Sequence, residues 1–322
     1  MTAVSIIIVN WNGKKFLADC LDGLKQQTYK DFSVLIVDNG SNDGSPEFVQ
    51  THYPEVRIIT LSRNLGFAVA NNIAIQSVQT KYVALLNNDA VPHPAWLAAL
   101  VNVLENHFDA GLVASKMLFY DNRNVVDRAG DEYTAAGAGN LRGRGEPSEN
   151  FNNLELVFGA CAGAALYRKL MLDDIGLFDE DFFLLYEDVD LSFRAQLEGY
   201  KCLYVPDAIV YHKASSSIGD DSAISVYYSH RNLEWVYIQN MPAGLVKKTI
   251  VKHLIYNVGS LIFFVFRGRG KDFLRAKWDA VMGLKRALDK RRQTQSRKKV
   301  SDEYIWNLLE KERFLPRLIR RI

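Results

Sequence analysis

Four short apolar runs, each followed by a stretch of helical period and each ending in Asn, Asp, Arg or Ser rather than in another apolar residue, constrain what the first hundred residues can fold into. Val4 to Val9, Ser33 to Val37, Val56 to Thr60 and Tyr82 to Leu86 are β-rich and almost unbroken in hydrophobicity, as strands covered on both faces are. Helical pattern covers about Lys15 to Gln27, Ser45 to Thr51, Phe67 to Ser77 and Pro94 to Asn106. This alternation predicts an α/β fold with a mostly parallel sheet flanked by crossover helices. Ligands of such sheets bind beyond the carboxyl ends of the strands. Those ends carry Asn10-Trp11-Asn12, Asp38-Asn39-Gly40-Ser41-Asn42-Asp43-Gly44, Arg63-Asn64 and Asn87-Asn88-Asp89. The turn preference of Asn, Asp and Gly explains any one of these loops. Four at one sheet edge point to a nucleotide-binding half, residues 1–110.

Residues 121–153 are rich in Gly, Asn and Arg and poor in apolar pattern, which predicts a long excursion that orders with substrate. Gly137-Ala138-Gly139 fails as a dinucleotide fingerprint, because no strand precedes it and Arg142 stands where the third glycine belongs. Gly159 to Ala164 is small and apolar and predicts a strand packed close under an acceptor site.

Two segments carry candidate chemistry. Asp89 closes the fourth strand, where a carboxylate can hold a divalent cation against a diphosphate or cap the next helix. The second segment, Gly176 to Arg194, is dense in aromatic and acidic residues. From Glu187 onward its period is helical: Val189, Phe193 and Leu197 form one stripe, and Asp188 and Asp190 fall in the first turn, where the helix dipole favours negative charge. A solvated acidic helix start accounts for this pattern. So does a general base, since a carboxylate beneath an aromatic lid has the tuned environment that activating a hydroxyl requires.

Taken in order, Asn64-Leu65-Gly66-Phe67-Ala68 with Asn71-Asn72, Leu86-Asn87-Asn88-Asp89, Phe178-Asp179-Glu180, and Glu187-Asp188-Val189-Asp190-Leu191 with Arg194 resemble the inverting family 2 glycosyltransferases. Within that family the chain most resembles the bacterial rhamnosyltransferase-like branch, from residue 4 to roughly residue 240. The resemblance implies the GT-A fold, a Rossmann-like mixed sheet flanked by helices. It also implies a hexosyltransferase moving a sugar, rhamnose favoured, from a dTDP- or UDP-sugar. The acceptor would be a hydroxyl of a saccharide or lipid-linked saccharide in bacterial envelope polysaccharide synthesis. Carried over by position, Asp188 is the general base and Asp38 binds the pyrimidine. Asn10, Asn12, Asn39, Arg63, Asn64, Asn72 and Asn88 surround the nucleotide sugar, and Glu187 and Arg194 lie on the acceptor side. Asp89 and His212 sit at a divalent cation, Mg²⁺ or Mn²⁺. Asn87 departs from the family, standing where many relatives carry the first acid of the metal motif; its carbonyl remains a possible oxygen ligand. A nucleotidyltransferase would show a basic, Gly-rich triphosphate loop where this chain has Val9-Asn10-Trp11-Asn12-Gly13-Lys14. A silent nucleotide-sugar-binding scaffold would fit the loss at position 87 but not the intact Asp89 and Asp188.

The net charge of +2 conceals two opposed parts: residues 1–244 hold 18 Lys+Arg against 30 Asp+Glu, a net of −12, and residues 245–322 hold 21 against 7, a net of +14. A basic part of this kind seeks nucleic acid or anionic lipid. Leu254 to Phe266 is apolar and is flanked by Lys247, Lys248 and Lys252 on one side and by Arg267, Arg269 and Lys271 on the other. Because a bilayer span needs about 20 residues, this 13-residue run predicts a helix lying in the headgroup layer, with a buried core helix as the alternative. Lys290-Arg291-Arg292, Arg297-Lys298-Lys299 and Arg317 to Ile322 read as further contacts to an anionic membrane surface, and no nucleic-acid module accompanies them. The expected organisation is a catalytic domain over 1–225, its acceptor half at 111–225, followed by a helical membrane-associating region over 226–322. Cys20, Cys161 and Cys202 lack metal-ligand spacing and cannot all pair, and the apolar start at Met1 has no basic region ahead of it. Both observations predict a cytoplasmic protein, peripheral on the inner face of the plasma membrane.

Overall fold

In the computed structural model, residues 2–213 and 222–312 are described. The first hundred residues form β1 (Val4–Asn10), α1 (Lys14–Lys25), β2 (Phe32–Asp38), α2 (Ser45–His52), β3 (Arg57–Thr60), α3 (Phe67–Gln76) and β4 (Tyr82–Leu86). The four strands are parallel and lie in the order β3-β2-β1-β4. Alternation within β1 explains the layering. Ile6 and Ile8 enter one core with Leu17, Cys20 and Leu21 of α1, whereas Ile7 enters the opposite core with Ala68, Ala70 and Ala74 of α3. A strand buried on both faces cannot alternate polar and apolar residues, so it reads as a continuous hydrophobic run. The parallel register sets Asn10 beside Asp38, which brings the strand-end loops together.

The sheet then widens through β5 (Ala90–Pro92), α4 (Trp96–Asn106), β6 (Ala110–Phe119), β7 (Asn122–Ala129), β8 (Asp131–Tyr133), β9 (Gly139–Leu141), β10 (Glu155–Val157), β11 (Ala164–Arg168), α5 (Lys169–Ile175), α6 (Glu187–Leu197) and β12 (Lys201–His212). Its order is β10-β12-β6-β11-β4-β1-β2-β3, with β5 on β12 and β7 on β6, while β8 and β9 pair separately. β11 is antiparallel to both its neighbours, β4 and β6, so the sheet is mixed.

Two sequence readings are corrected here. Residues 121–153 hold strands rather than one long loop: β7 folds back on β6, and Arg142 donates to the Ala129 carbonyl, pairs with Glu155 and lies over the rings of Phe151 and Tyr204. Charge pairing and cation–π contact replace the apolar period there, and so the segment reads as loop. Gly159 to Gly163 is not a continuous strand: Gly159 makes an isolated bridge to Asp131, the chain turns at Ala162-Gly163, and the strand begins only at Ala164. Its small residues are required because α6 passes over it: a Cβ on Gly159 would fall 2.7 Å from the Ser192 side chain.

The chain ends in α7 (Ala223–Asn240), α8 (Ala243–Phe266), α9 (Gly270–Met282), α10 (Leu284–Ser296) and α11 (Asp302–Leu308). The expected boundary at 225/226 falls in the first turn of α7, whose Trp235, Val236 and Tyr237 share a third core with Phe182, Phe193 and Leu197. Two basic clusters expected to face lipid are instead matched internally. Lys290 pairs with Asp179 and Asp181, Arg297 and Lys299 with Glu198 and Asp174, and Arg291 donates to the carbonyls of Ile238 and Met241. Much of the charge asymmetry therefore docks α10 onto the acidic catalytic half. The cluster Arg317 to Ile322 lies outside the described residues. α8 runs for 24 residues, not 13, and is long and apolar enough to cross a membrane by length and composition.

Candidate active site

At the carboxyl ends of β1 and β2, Asn10 donates to Asp38 (3.1 Å) and to the Ser41 hydroxyl (3.3 Å), and Asn88 donates to Asn10 (2.7 Å). Ser41 N–H closes on the second Asp38 oxygen at 3.0 Å, and Asn12 receives the Asn42 amide at 2.8 Å. Asn10, Asn12, Asp38 and Asn88 thus form one network across three loops. Asn39 holds the next loop by donating to Asn64 (3.0 Å) and to the Gly66 carbonyl (3.1 Å). The exposed Arg63 rides on this wall, its backbone 2.6 Å from where a Gly40 Cβ would be. Gly66 has φ +88°, and a Cβ there would lie 2.5 Å from the Phe183 carbonyl, so only glycine lets the donor loop meet the aromatic segment.

Asn72 and Arg194, expected at the nucleotide sugar and on the acceptor side, bond within the protein to the segment before α6. Asn72 donates to the Phe178 carbonyl and Glu180 and accepts from Phe178 N–H. Arg194 pairs with Asp190 at 2.8 Å and donates to the carbonyls of Ile175, Gly176 and Leu177. With their polar atoms engaged in this way, both residues fix the 175–180 segment that leads into α6.

Beyond β4, Asp89 meets His212 Nε2 at 3.2 Å, and His212 Nδ1 meets Asp127 at 2.7 Å. Burial alone would lower the His212 pKa, but the hydrogen bonds to Asp127 and Asp89 raise it to about 9. Among the described residues, no group of three or more His, Cys, Asp or Glu side chains is arranged to hold a metal. Asp89 and His212 alone cannot cage a cation: the Asp89 carboxylate suits a hard cation that would take its remaining ligands from a diphosphate, and His212, protonated between its two carboxylates, would have to release its Nε2 proton to join it.

Asp188 is the second residue of α6, which starts directly after two successive non-glycine residues in left-handed conformation, Leu185 (φ 65°) and Tyr186 (φ 73°). Each such residue costs about 1–3 kcal/mol and persists only where its surroundings over-determine it. Asn232 of α7, fully buried, donates to both the Leu184 (2.9 Å) and Leu185 (2.7 Å) carbonyls, and the Tyr186 hydroxyl accepts from Gly139 N–H (3.1 Å). The carboxylate that emerges from this turn accepts from its own helix at Val189 N–H (2.9 Å) and from Ala162 N–H (3.2 Å). The turn bearing Ala162 lies over the end of β4: Asn87 N–H donates to the Gly163 carbonyl at 2.8 Å, and a Gly163 Cβ would sit 2.9 Å from the Asn87 amide. One short backbone path therefore links Asp188 to the Asn87–Asp89 loop.

Beneath Asp188 lies a layer of charge that the sequence reading did not anticipate. Arg128 approaches Asp131 at 3.3 Å and Asp188 at 3.9 Å, and Glu187 is only 6% exposed. One carboxylate oxygen each on Asp131 and Glu187, and Nε of Arg128, are buried without a hydrogen-bond partner. Burial, offset in part by Arg128, raises Asp131 to about 7; burial and the charge of Asp188 raise Glu187 to about 8. Carboxyls held that far above their usual range occur both at functional sites and in buried ion-pair networks, and here they lie directly under Asp188. Asp127, Arg128, Asp131 and Asn232 all escaped the sequence reading. Their only trace was a run of charges in a weakly patterned stretch and, for Asn232, no trace at all.

A family model described as Glycosyl transferase family 2 matches residues 5–176. In sequence the chain is similar to N-acetylglucosaminyl-diphospho-decaprenol L-rhamnosyltransferase of Mycobacterium tuberculosis, with 26% identity over 268 residues, 74% of this chain and 85% of that protein. In structure it is similar to S. aureus TarS 1-349 in complex with UDP-GlcNAc, with TM-score 0.60 and 16% identity over 96% of this chain and 93% of that one. It is also similar to GalNAc-T7 with UDP, GalNAc and Mn²⁺, with TM-score 0.59 and 15% identity over 74% of this chain and half, 50%, of that one. At such identities the structural likeness speaks for the fold, which is the GT-A fold with added C-terminal helices.

Proposed function

The chain belongs to glycosyltransferase family 2, and from that premise we propose that it transfers a sugar with inversion from a dTDP- or UDP-sugar to a hydroxyl of a saccharide or lipid-linked saccharide of the bacterial envelope. The observation that carries this reading is the backbone path from Asp188 to the Asn87–Asp89 loop, which sets a carboxylate beside the strand end where the diphosphate of a donor would lie. The likeness to a rhamnosyltransferase acting on a lipid-linked sugar favours rhamnose and a lipid-linked acceptor.

In this reading Asp188 accepts the proton of the acceptor hydroxyl as that oxygen attacks the anomeric carbon from the face opposite the nucleotide. Asp38 and the Asn10 network hold the pyrimidine end. Asp89 and His212 would hold a divalent cation, Mg²⁺ or Mn²⁺, which when bound supplies positive charge against the departing diphosphate. Asn72, Arg194 and Asn232 are positioning residues, since each acts by fixing the segment that presents Asp188. Replacing Asn232 by alanine would orphan two carbonyls and free the strained turn, so Asn232→Ala is expected to lower kcat about 10- to 100-fold with little change in donor affinity. Steady-state kinetics beside donor titration calorimetry would separate the two effects, and equal losses in both would argue against a positioning role.

The direct test supplies Mg²⁺ or Mn²⁺, a panel of dTDP- and UDP-sugars and an extract of lipid-linked acceptors, and reads nucleoside diphosphate release. Acceptor-dependent release with one donor is expected. Tight donor binding without such release in any combination would overturn the transferase reading in favour of a silent scaffold.

A further inference from the structure

α8 is built inside out. The positions it buries are Leu245, Thr249, His253 and Ser260, and three of these four are polar. Thr249 bonds the Tyr237 hydroxyl at 2.9 Å, and His253 bonds Glu234 at 3.0 Å and donates to the Ala136 carbonyl at 2.8 Å. Its outward face carries Val251, Leu254, Ile255, Val258, Ile262 and Val265, each at least half exposed. α9 continues that face with Leu274, Trp278, Val281 and Met282, also more than half exposed and spaced as one helical stripe. Scattered exposed apolar residues need no explanation, but a contiguous face across two helices does.

Charge decides what covers it. Exposed Lys247 and Lys248 stand at one end of the face, and exposed Lys271 and Arg275 at the other. A second copy of the chain would set these cations near their own kind, whereas anionic headgroups would neutralise them. Helix length does not make α8 a span. It is roughly 36 Å long at 1.5 Å per residue, but Thr249 and His253 tie it to the body of the protein, and a transmembrane path would strip those bonds.

We propose that the outward face of α8 and α9 is a monotopic docking surface for the headgroup and upper acyl layer of an anionic bilayer. Through the His253–Ala136 bond, which clamps the turn between β8 and β9, the docked helix also orients the acceptor side of the site toward the lipid surface. That last clause rests on the acceptor reading above; the docking itself does not.

The test sediments the full chain with vesicles of phosphatidylglycerol and phosphatidylethanolamine, and with phosphatidylcholine alone, in the absence of donor and acceptor lipid. Binding to the anionic vesicles is expected, weakening with salt and weaker still on phosphatidylcholine. Combining Leu254→Glu, Val258→Glu and Ile262→Glu is expected to reduce it by more than about tenfold with an unchanged melting curve, since all three side chains face outward. A Trp278-dependent fluorescence signal, absent in Trp278→Phe, should be quenched by headgroup-level labels and not by labels at the bilayer centre. The proposal is overturned by failure to bind the anionic vesicles, by equal binding of wild type and triple variant, or by quenching from the bilayer centre; a dimer that the triple variant converts to monomer would assign the face to a second copy instead. Because no substrate is present, a negative vesicle result leaves nucleoside diphosphate release standing, and the converse holds.

Discussion

Asp188→Asn is expected to lower acceptor-dependent nucleoside diphosphate release by about 10²- to 10⁴-fold, the range a positioned general base supplies, and to leave donor binding intact. Asparagine keeps the shape of the side chain and one acceptor oxygen for Val189 or Ala162 N–H, so the turn at Leu185 and Tyr186 should survive. What is lost is the ability to take a proton. Loss of kcat with an unchanged donor dissociation constant is the pattern of a group needed only in the transition state. A variant that still turns over within about threefold of wild type would remove Asp188 from that role. Donor binding that disappeared along with activity would instead mean that the turn had collapsed, and Asp188→Glu would then distinguish a lost base from a lost fold.

Parts of this arrangement were legible in the sequence because their physics is local. Continuous apolar strands bounded by Asn and Asp mark the nucleotide half, since a strand buried on both faces has no other pattern available. Asp188 was visible because the stripe Val189, Phe193 and Leu197 fixes where the helix begins. Arg128 and Asp127 were not, because the partners that join them to the site are far away in sequence. Arg128 reaches across to Asp188, and Asp127 reaches His212. A charge whose partner is distant looks like a solvated loop until the fold joins the two. The basic clusters failed for the same reason in reverse: a run such as Lys290 to Arg292 has identical composition whether it faces lipid or, as here, carboxylates and carbonyls on the catalytic half. For α8, composition reported apolarity but not which side bears it, and the outward turn of Leu254, Val258 and Ile262 exists only in three dimensions.

Arg128→Met should cost about 3 kcal/mol of stability, the low end for breaking a buried ion pair because the arginine side chain retains some exposure. The substitution leaves Asp131, 3% exposed, without its counter-charge and removes the cation nearest Asp188 and Glu187. The loss depends on pH, and its sign follows from the raised carboxyls. Asp131 and Glu187 titrate at about 7 and about 8 in the folded protein, above the ordinary carboxylate range near 4. Between those limits the folded state holds protons that the unfolded state has released, so the contribution of these two groups to stability falls as pH rises from about 4 to about 8. Removing Arg128 takes away the one nearby charge that lowers both groups. The variant should therefore be close to wild type near pH 4, where the carboxyls are protonated in either protein, and fall furthest behind above pH 8. Denaturant melts of both proteins across that range would show the divergence. Adding Asp131→Asn to Arg128→Met should recover most of the deficit by removing the stranded charge, and a deficit that is constant with pH would assign the role of Arg128 to packing rather than to charge.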